Sequence, residues 1–346
     1  MEFRSILNRV LEGMPLNQEE AYLLASNLVK GELQEALMAG TLIAMKVRGE
    51  RPDEVVGFAR AMRESMIKVS APGNTLDTAG TGGDSHNTLN VSTAVAMLIS
   101  HLVPVAKHGN RAVSSSSGSA DVLEALGYIV DVEPNEAVSL LSKVGFAFLF
   151  AQKYHPAMKN VAPVRRALGV KTIFNLLGPL TNPASVGRQV IGVYSMRAME
   201  LLAHAASDLG YERALLVHGE PGLDEVSPCC VTNVVEVNGG RIESYSISPE
   251  ELGVSPISVD KVRVVGNKQS AIRILRGLAG LDNEARQFIK INAALALYVA
   301  GVASSPKDGA ELAEQCFNGS VDRVQRIVES HGDVRKFEEV KRLAFA

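Results

Sequence analysis

Apolar residues recur at helical spacing from the start of the chain to about residue 70, then give way to short β-like runs alternating with further helical stretches. Ile6, Leu7, Val10 and Leu11 fall three and four apart and so share one helix face. Asn17 predicts the cap of a second helix that carries Ala21, Leu24, Ala25 and Leu28 up to Gly31. Leu33 to Val47, closed by Gly49, predicts a third. Pro52 suits the first turn of a fourth, whose stripe is Val55, Val56, Phe58, Ala59 and Met62. Residues 1–70 therefore predict a small helical domain.

Ala71-Pro72-Gly73-Asn74 is a turn-rich break, and residues 71–346 predict a larger α/β domain. Expected strands are Val103 to Ala106, Phe146 to Phe150, Gln189 to Tyr194 and Ala214 to Val217. Expected helices are Thr93 to Leu102, Ala120 to Leu126, Met196 to Leu209 and Ala285 to Val299. Strands separated by helices imply right-handed crossovers and a mostly parallel central sheet. Val231 to Val237 and Arg241 to Ile247, joined across Asn238-Gly239-Gly240, predict an antiparallel hairpin at its edge.

Composition narrows the function classes. With 46% apolar residues and a net charge of -3 over 346 positions, the chain can bury a core, which excludes disorder as its main character. Its longest apolar run, Ala293 to Ala300, ends at Gly301, short of the roughly 18 to 20 residues of a spanning helix. Glu2, Arg4, Arg9 and Glu12 interrupt the opening segment where a secretory signal would be apolar, so a cytoplasmic protein is expected. Cys229, Cys230 and Cys316 lack metal-site spacing and are expected as free thiols. A pI near 6.2 without a long basic run argues against duplex DNA and leaves room for a local anion pocket.

The densest chemical signal is Asp77 to Thr93, DTAGTGGDSHNTLNVST. Glycines at 80, 82 and 83 let backbone amides approach an anion, and Thr88, Asn90, Ser92 and Thr93 add uncharged donors where a helix is expected to start. No Lys-Ser/Thr follows, so this is not a P-loop, and a tight turn with a Ser/Thr cap has the same local sequence. Lys107 to Asp121, KHGNRAVSSSSGSAD, follows an expected strand and brings two cations, an amide and five serines. Two such loops at strand ends suit a large phosphorylated ligand, because crevices beyond the carboxyl ends of parallel strands are where these sheets bind.

Asp224 and Glu225 are adjacent carboxylates in LVHGEPGLDEVSP. They suit magnesium that also holds phosphate oxygens, although an Asp-Glu pair alone equally describes a solvated surface. In VRRALGVKTIFNLLGPLTNPA, Arg165 or Arg166 offers a guanidinium fork to a carboxylate, or simply an exposed helix face.

Taken in order, GTGGD, NVST, KHGNR, GSADVLEALG, HPAMK, KTIFNLLGPLTNPA and GLDE resemble the anthranilate phosphoribosyltransferases of tryptophan biosynthesis over nearly the whole chain. The resemblance implies a small helical domain plus a large α/β domain, with residues 165–190 packing back onto the helices and bringing Arg165 to the hinge crevice. It implies transfer of phosphoribose from phosphoribosyl pyrophosphate to the anthranilate amine, with magnesium, as two ions, and a homodimer. Residue by residue, it implies that Gly80, Gly83, Asp84, Thr88, Asn90, Val91, Ser92 and Thr93 hold the pyrophosphate. Lys107, His108, Gly109, Asn110, Arg111, Ala112, Val113, Ser114 and Ser115, with Ser119, would wrap the phosphates and ribose. Ser92, Asp224 and Glu225 would ligate magnesium, and Gly80, Asn110 and Arg165 would bind anthranilate. No strong general base is required; His108 and His155 are the nearest candidates for proton transfer.

Three positions depart from the family pattern. Ser85-His86-Asn87 stands where a Gly often follows GTGGD, Ser116 replaces a frequent Lys, and Gln152 replaces a frequent Pro. Two rivals share the fold. A pyrimidine nucleoside phosphorylase would carry a KHS-type loop and need no Arg165. A non-catalytic nucleic-acid-binding relative would carry a basic groove and an eroded acid pair.

Overall fold

The computed structural model describes residues 3–112 and 117–346. Four helices open the chain: α1 (Phe3–Leu11), α2 (Gln18–Lys30), α3 (Glu35–Arg48) and α4 (Pro52–Ser65). Their boundaries follow local chemistry. The Asn17 side chain accepts from Glu20 N while the Glu20 side chain accepts from Asn17 N, a reciprocal cap. Gly31 closes α2 at φ +76°, a left-handed conformation that glycine adopts without a Cβ clash.

Seven strands form one sheet: β1 (Leu76–Asp77), β2 (Val105–Gly109), β3 (Phe146–Phe150), β4 (Arg188–Gly192), β5 (Arg213–Gly219), β6 (Thr232–Asn238) and β7 (Arg241–Ile247). Their order is β3-β2-β1-β4-β5-β6-β7, with parallel pairing from β3 to β5 and antiparallel pairing at β6 and β7. The chain leaves β1 for β2 and β3 on one side and returns to β4 and β5 on the other. The order therefore reverses between β1 and β4, and the crevice beyond their carboxyl ends is the place where such a sheet binds ligands.

Helices α5 (Val91–Ile99), α6 (Ser119–Ala125), α7 (Pro134–Val144), α8 (Ala151–Tyr154), α9 (Ala162–Leu168), α10 (Phe174–Leu177) and α11 (Met196–Asp208) connect the strands. After the hairpin come α12 (Gly266–Leu278), α13 (Asn283–Val299), α14 (Pro306–Cys316), α15 (Ser320–Ser330) and α16 (Val334–Phe345). No described helix is long and apolar enough to cross a membrane.

Alternation along the strands divides the core in two. Leu215, Val217 and Val234 pack with the helices from α12 onward and α5, whereas Ala214, Leu216, Val235 and Val237 pack with α11. The second cluster continues without a break into α1–α4 through Val161, Val164, Ile173, Phe174, Leu176, Leu177 and Leu180. Phe58 of α4 meets Phe174 edge to face at 5.6 Å, and Arg63 Nε donates to Leu180 O at 2.6 Å. Segment 161–180 thus lies against the helical layer.

Several boundaries differ from those expected; β4, for example, ends at Gly192 instead of Tyr194, and α5 at Ile99 instead of Leu102. Strand β2 begins at Val105 instead of Val103, because Pro104 has no N–H for a ladder, and it runs on to Gly109. Lys107, His108 and Gly109 are therefore strand residues rather than the start of a phosphate loop. Helix α5 starts at Val91, two residues before the expected Thr93.

Candidate active site

The site is built on a buried carboxylate. Asp77, fully buried at the end of β1, accepts at Oδ1 from Thr78 N (2.7 Å), Ala79 N (3.1 Å) and His108 N (3.2 Å). Its Oδ2 accepts from Asn182 Nδ2 (2.7 Å) and Gln189 Nε2 (3.3 Å). Burial pushes this carboxyl above its ordinary value, and Lys107 beside it pulls the other way. The Lys107 ammonium is buried as well and donates to Thr78 O at 3.2 Å. Burial lowers its pKa, opposed by Asp77 first and then by Glu225 and Asp224. Lys107 therefore works inward, as a counter-charge beneath the crevice.

The glycine loop lies directly above. A Cβ on Gly80 would sit 2.9 Å from Gly192 O at the end of β4, and Thr81 N donates to that same oxygen at 2.8 Å. Only glycine permits this approach. Ser85 and Asn87 adopt φ of +64° and +54°, which accounts for the glycine that the family pattern often has after GTGGD. At the start of α5, Ser270 Oγ accepts from Asn90 N at 3.1 Å and donates to Asn90 Oδ1 at 2.9 Å. Thr78 Oγ1 donates to Ser92 O at 3.0 Å, and Thr93 Oγ1 is buried without a partner. Thr88 bridges to Arg263. Helix α5 begins here at Val91, and the positive end of a helix is an environment an anion prefers.

Asp224 and Glu225 follow β5 on a loop that packs against β4 so closely that a Cβ on Gly192 would lie 1.7 Å from Asp224 O. Asn292 of α13 holds the loop from behind, its Oδ1 accepting from Val226 N at 3.0 Å. Both acids are half-exposed at the crevice surface yet surrounded by enough protein to lose much of their hydration. Burial, then Asp84 beside it, pushes Asp224 up to about 7, and burial, then Asp224, raises Glu225 well above the usual carboxylate range. Three carboxyls facing one another, with Lys107 beneath them, make a site short of positive charge. Among the described residues no three His, Cys, Asp or Glu side chains close into a metal cage. Two half-exposed carboxylates instead suit an ion that keeps waters and takes its remaining oxygens from a ligand.

His108 Nδ1 lies 3.0 Å from Gly178 O. A carbonyl only accepts, so Nδ1 carries the proton and Nε2, buried and unpartnered, presents a lone pair. The His155 ring is 5.2 Å away. Burial pushes His108 down to about 3 and His155 to about 4, so both are neutral at physiological pH. Gly109 is required by Ser119, whose Oγ would lie 2.2 Å from a Cβ there. Asn110 O accepts from Ala120 N (3.2 Å) and Ser119 Oγ (3.3 Å), while its Oδ1 accepts from Gln152 Nε2 at 3.3 Å. The departure at Gln152 therefore touches a candidate substrate residue. Arg111 forks onto Glu124 at 2.5 and 2.6 Å, and Asp121 Oδ2 accepts from Ala112 N at 2.9 Å. Val113, Ser114 and Ser115, and the departure at Ser116, lie outside the described residues.

Arg165 stands half-buried on α9, its Nη2 donating to Asn175 Oδ1 at 3.4 Å and its guanidinium 5.6 Å over Phe174. Asn175 Oδ1 also accepts from Thr172 N at 3.0 Å. Burial lowers the Arg165 pKa, and no ion pair among the described residues involves it. Arg166 beside it is exposed. Six residues on, Lys171 Nζ donates to Gly83 O at 2.9 Å and sits 3.7 Å over Tyr194, whose N donates to Thr81 Oγ1 at 3.3 Å. The segment carrying Arg165 is thereby tied to the glycine loop.

Residues 72–320 match the family model described as "Glycosyl transferase family, a/b domain", and residues 4–66 match "Glycosyl transferase family, helical bundle domain". A curated anthranilate phosphoribosyltransferase from Metallosphaera sedula is 51% identical over 341 residues, 99% of each chain. The chain belongs to the anthranilate phosphoribosyltransferase family. A solved anthranilate phosphoribosyltransferase from Thermus thermophilus is 38% identical and superposes with a TM-score of 0.87 over 97% of this chain and 99% of its own. One from Saccharomyces cerevisiae, in complex with PRPP and Mg, is 26% identical with a TM-score of 0.83 over 97% and 98%. The two-layer architecture, helices before a mostly parallel α/β sheet, is that of this phosphoribosyltransferase family.

Several residues that build the site were not singled out from the sequence. Asn182 and Gln189 hold Asp77, Ser270 holds Asn90, Asn175 holds Arg165, and Asn292 holds the acid loop. Asn292 carried a signal, being an amide inside the apolar run of α13.

Proposed function

We infer that the protein transfers phosphoribose from phosphoribosyl pyrophosphate to the amine of anthranilate, releasing pyrophosphate. The observation that supports this best is the meeting of the glycine loop and the acid loop at Gly192, at the reversal between β1 and β4, with the segment that carries Arg165 tied to the glycine loop through Lys171. Division of the chain into 1–70, with 165–190 packed onto it, and 71–346 would put anthranilate at the junction and the phosphates on the sheet side.

In this reading Gly80, Gly83, Asp84, Thr88, Asn90, Val91, Ser92 and Thr93 cradle the pyrophosphate, and Asn110, Ser119 and the segment between them border the ribose and its phosphate. Arg165 and Asn110, beside Gly80, orient anthranilate. Asp224 and Glu225, with Ser92, hold magnesium, as two ions. When bound, magnesium supplies positive charge to the departing pyrophosphate. The amine nitrogen bonds to the anomeric carbon as the carbon–oxygen bond to pyrophosphate breaks; pyrophosphate keeps the electron pair and the amine sheds one proton. The neutral amine needs orientation more than a strong base, so positioning supplies much of the acceleration. With Nδ1–H held by Gly178, His108 can accept a proton or hydrogen bond only at Nε2.

The decisive assay follows the fall in anthranilate fluorescence on adding phosphoribosyl pyrophosphate and magnesium. A magnesium-dependent decay is expected; folded protein that leaves the signal unchanged with verified substrates would overturn the assignment. A homodimer in the cytoplasm completes the proposal. It is favoured by the exposed Leu11, Met14, Leu37 and Val47 on and beside the first helices, and by three free cysteines, which suit a reducing compartment.

Two further outcomes follow. Burial and repulsion from neighbouring carboxylates hold Asp224 and Glu225 above the ordinary carboxylate range, so magnesium is expected to displace protons when it binds them. Titrating magnesium alone in buffers of different ionisation enthalpy is expected to report net proton release at pH 6.5, and affinity that rises with pH through 7. Observed heats that do not vary with the ionisation enthalpy of the buffer would show the acids already ionised. Lys171→Met removes the donor to Gly83 and is expected to raise the Michaelis constants of both substrates about two- to fivefold, the cost of one partly exposed bond. An effect on kcat alone would place Lys171 elsewhere in the cycle.

A further inference from the structure

Cys229 and Cys230, between the acid loop and β6, have no part in the reaction described above, yet their sulfurs lie 3.0 Å apart. Cys229 is half-buried and Cys230 exposed, so a small molecule reaches both. Their backbone is held in place. Ser227 Oγ accepts from Cys229 N at 3.3 Å and from Cys230 N at 3.1 Å, and itself donates to Glu220 O at 2.5 Å. Glu220 N in turn donates to Val231 O at 2.9 Å, closing the loop on both sides of the pair. Two thiols on a fixed frame form a chelate whose second bond costs little ordering entropy.

The geometry also selects what is chelated. Adjacent Cα atoms are about 3.8 Å apart, below the roughly 4.4 to 6.8 Å usual across a disulfide, so direct closure to a disulfide is disfavoured. A tetrahedral zinc with bonds of about 2.3 Å would hold two sulfurs about 3.8 Å apart, and it would want two further ligands. No three His, Cys, Asp or Glu side chains among the described residues offer such a set. A trivalent arsenic centre bonds through nearly perpendicular p orbitals, accepts a narrow sulfur–sulfur separation and is complete with two sulfurs and one other substituent.

We propose that Cys229 and Cys230 are a bidentate dithiol site for a trivalent arsenical. The arsenic–oxygen bonds of a monosubstituted arsonous acid break as two arsenic–sulfur bonds form, and each thiol proton leaves in a molecule of water. Arsenic stays trivalent throughout, so no oxidant or reductant takes part. Hydrogen bonding to Cys229, then burial, pushes the Cys230 thiol up to about 11, so it meets the arsenical as the protonated thiol that this exchange consumes.

The probe is phenylarsonous acid titrated into the purified, reduced protein, with accessible thiols counted by a chromogenic disulfide. One equivalent is expected to remove two thiols from the count. A dithiol such as dimercaptopropanol should restore them, and an equal concentration of a monothiol should not. Cys229→Ser and Cys230→Ser are each expected to weaken binding about a hundredfold or more, because the second bond loses its effective concentration. Cys316→Ser, which alters the buried third cysteine, should bind as the parent does. Failure to lose two thiols per arsenical, release by monothiol, or undiminished binding by either single variant overturns the proposal. The count and the reversal on the parent protein decide it even if a variant misfolds.

Discussion

Asp224→Asn combined with Glu225→Gln is expected to lower kcat/KM by about a thousandfold or more, the scale of losing electrostatic stabilisation at a leaving group. The rate that remains should no longer respond to added magnesium. Amides fill the same space, so the loop can keep its backbone bonds to Asn292 and Thr232 and its contact with Gly192. Lys107 loses two of its three acidic neighbours but keeps Asp77, the strongest of them, so the sheet beneath the loop stays neutralised. The loss should therefore appear in rate and metal response rather than in unfolding temperature. A double variant still activated by magnesium would remove these carboxylates from the metal site.

Arg165→Ala is expected to raise the Michaelis constant for anthranilate by about tenfold or more, consistent with about 1.5 to 3 kcal/mol for a hydrogen bond to a charged group. The constant for phosphoribosyl pyrophosphate should change far less. Arg165 lies outside every ion pair of the described residues while Asn175 orients its guanidinium, so its charge remains available to a carboxylate. Arg165→Lys should recover only part of the loss, because an ammonium cannot fork onto two oxygens. An unchanged anthranilate constant in Arg165→Ala would mean that another cation clamps the substrate.

How much of this was legible in the sequence depended on whether a residue's role is local. Helices α1–α4 were plain because an amphipathic stripe is a local pattern, and Asn17, Gly31 and Pro52 punctuate it. Strand β1 has two residues, too few to show any period. Lys107, His108 and Gly109 read as loop because Lys and Gly are poor strand formers, but pairing with Phe148, Leu149 and Phe150 overrides that preference. In the site, glycines, acids and arginines stood out because few other residue types serve an anion and a cation at once. Asn182, Gln189 and Ser270 did not, because each satisfies a partner far away in the chain, a relation that only the folded structure contains.

The Asp77 carboxylate has one more implication, for the order in which the molecule is made. Its two oxygens gather donors from neighbours at 78 and 79, from His108, and from Asn182 and Gln189, which lie 105 and 112 residues further along the chain. Contacts of that separation carry a large loop-closure cost and tend to form after local ones. During synthesis, the Asp77 anchor beneath the ligand loops would thus stay incomplete until more than half of the polypeptide has emerged. A nascent chain of 180 residues would have α1–α4 but no completed phosphate cradle, and substrate could assist folding only late in synthesis.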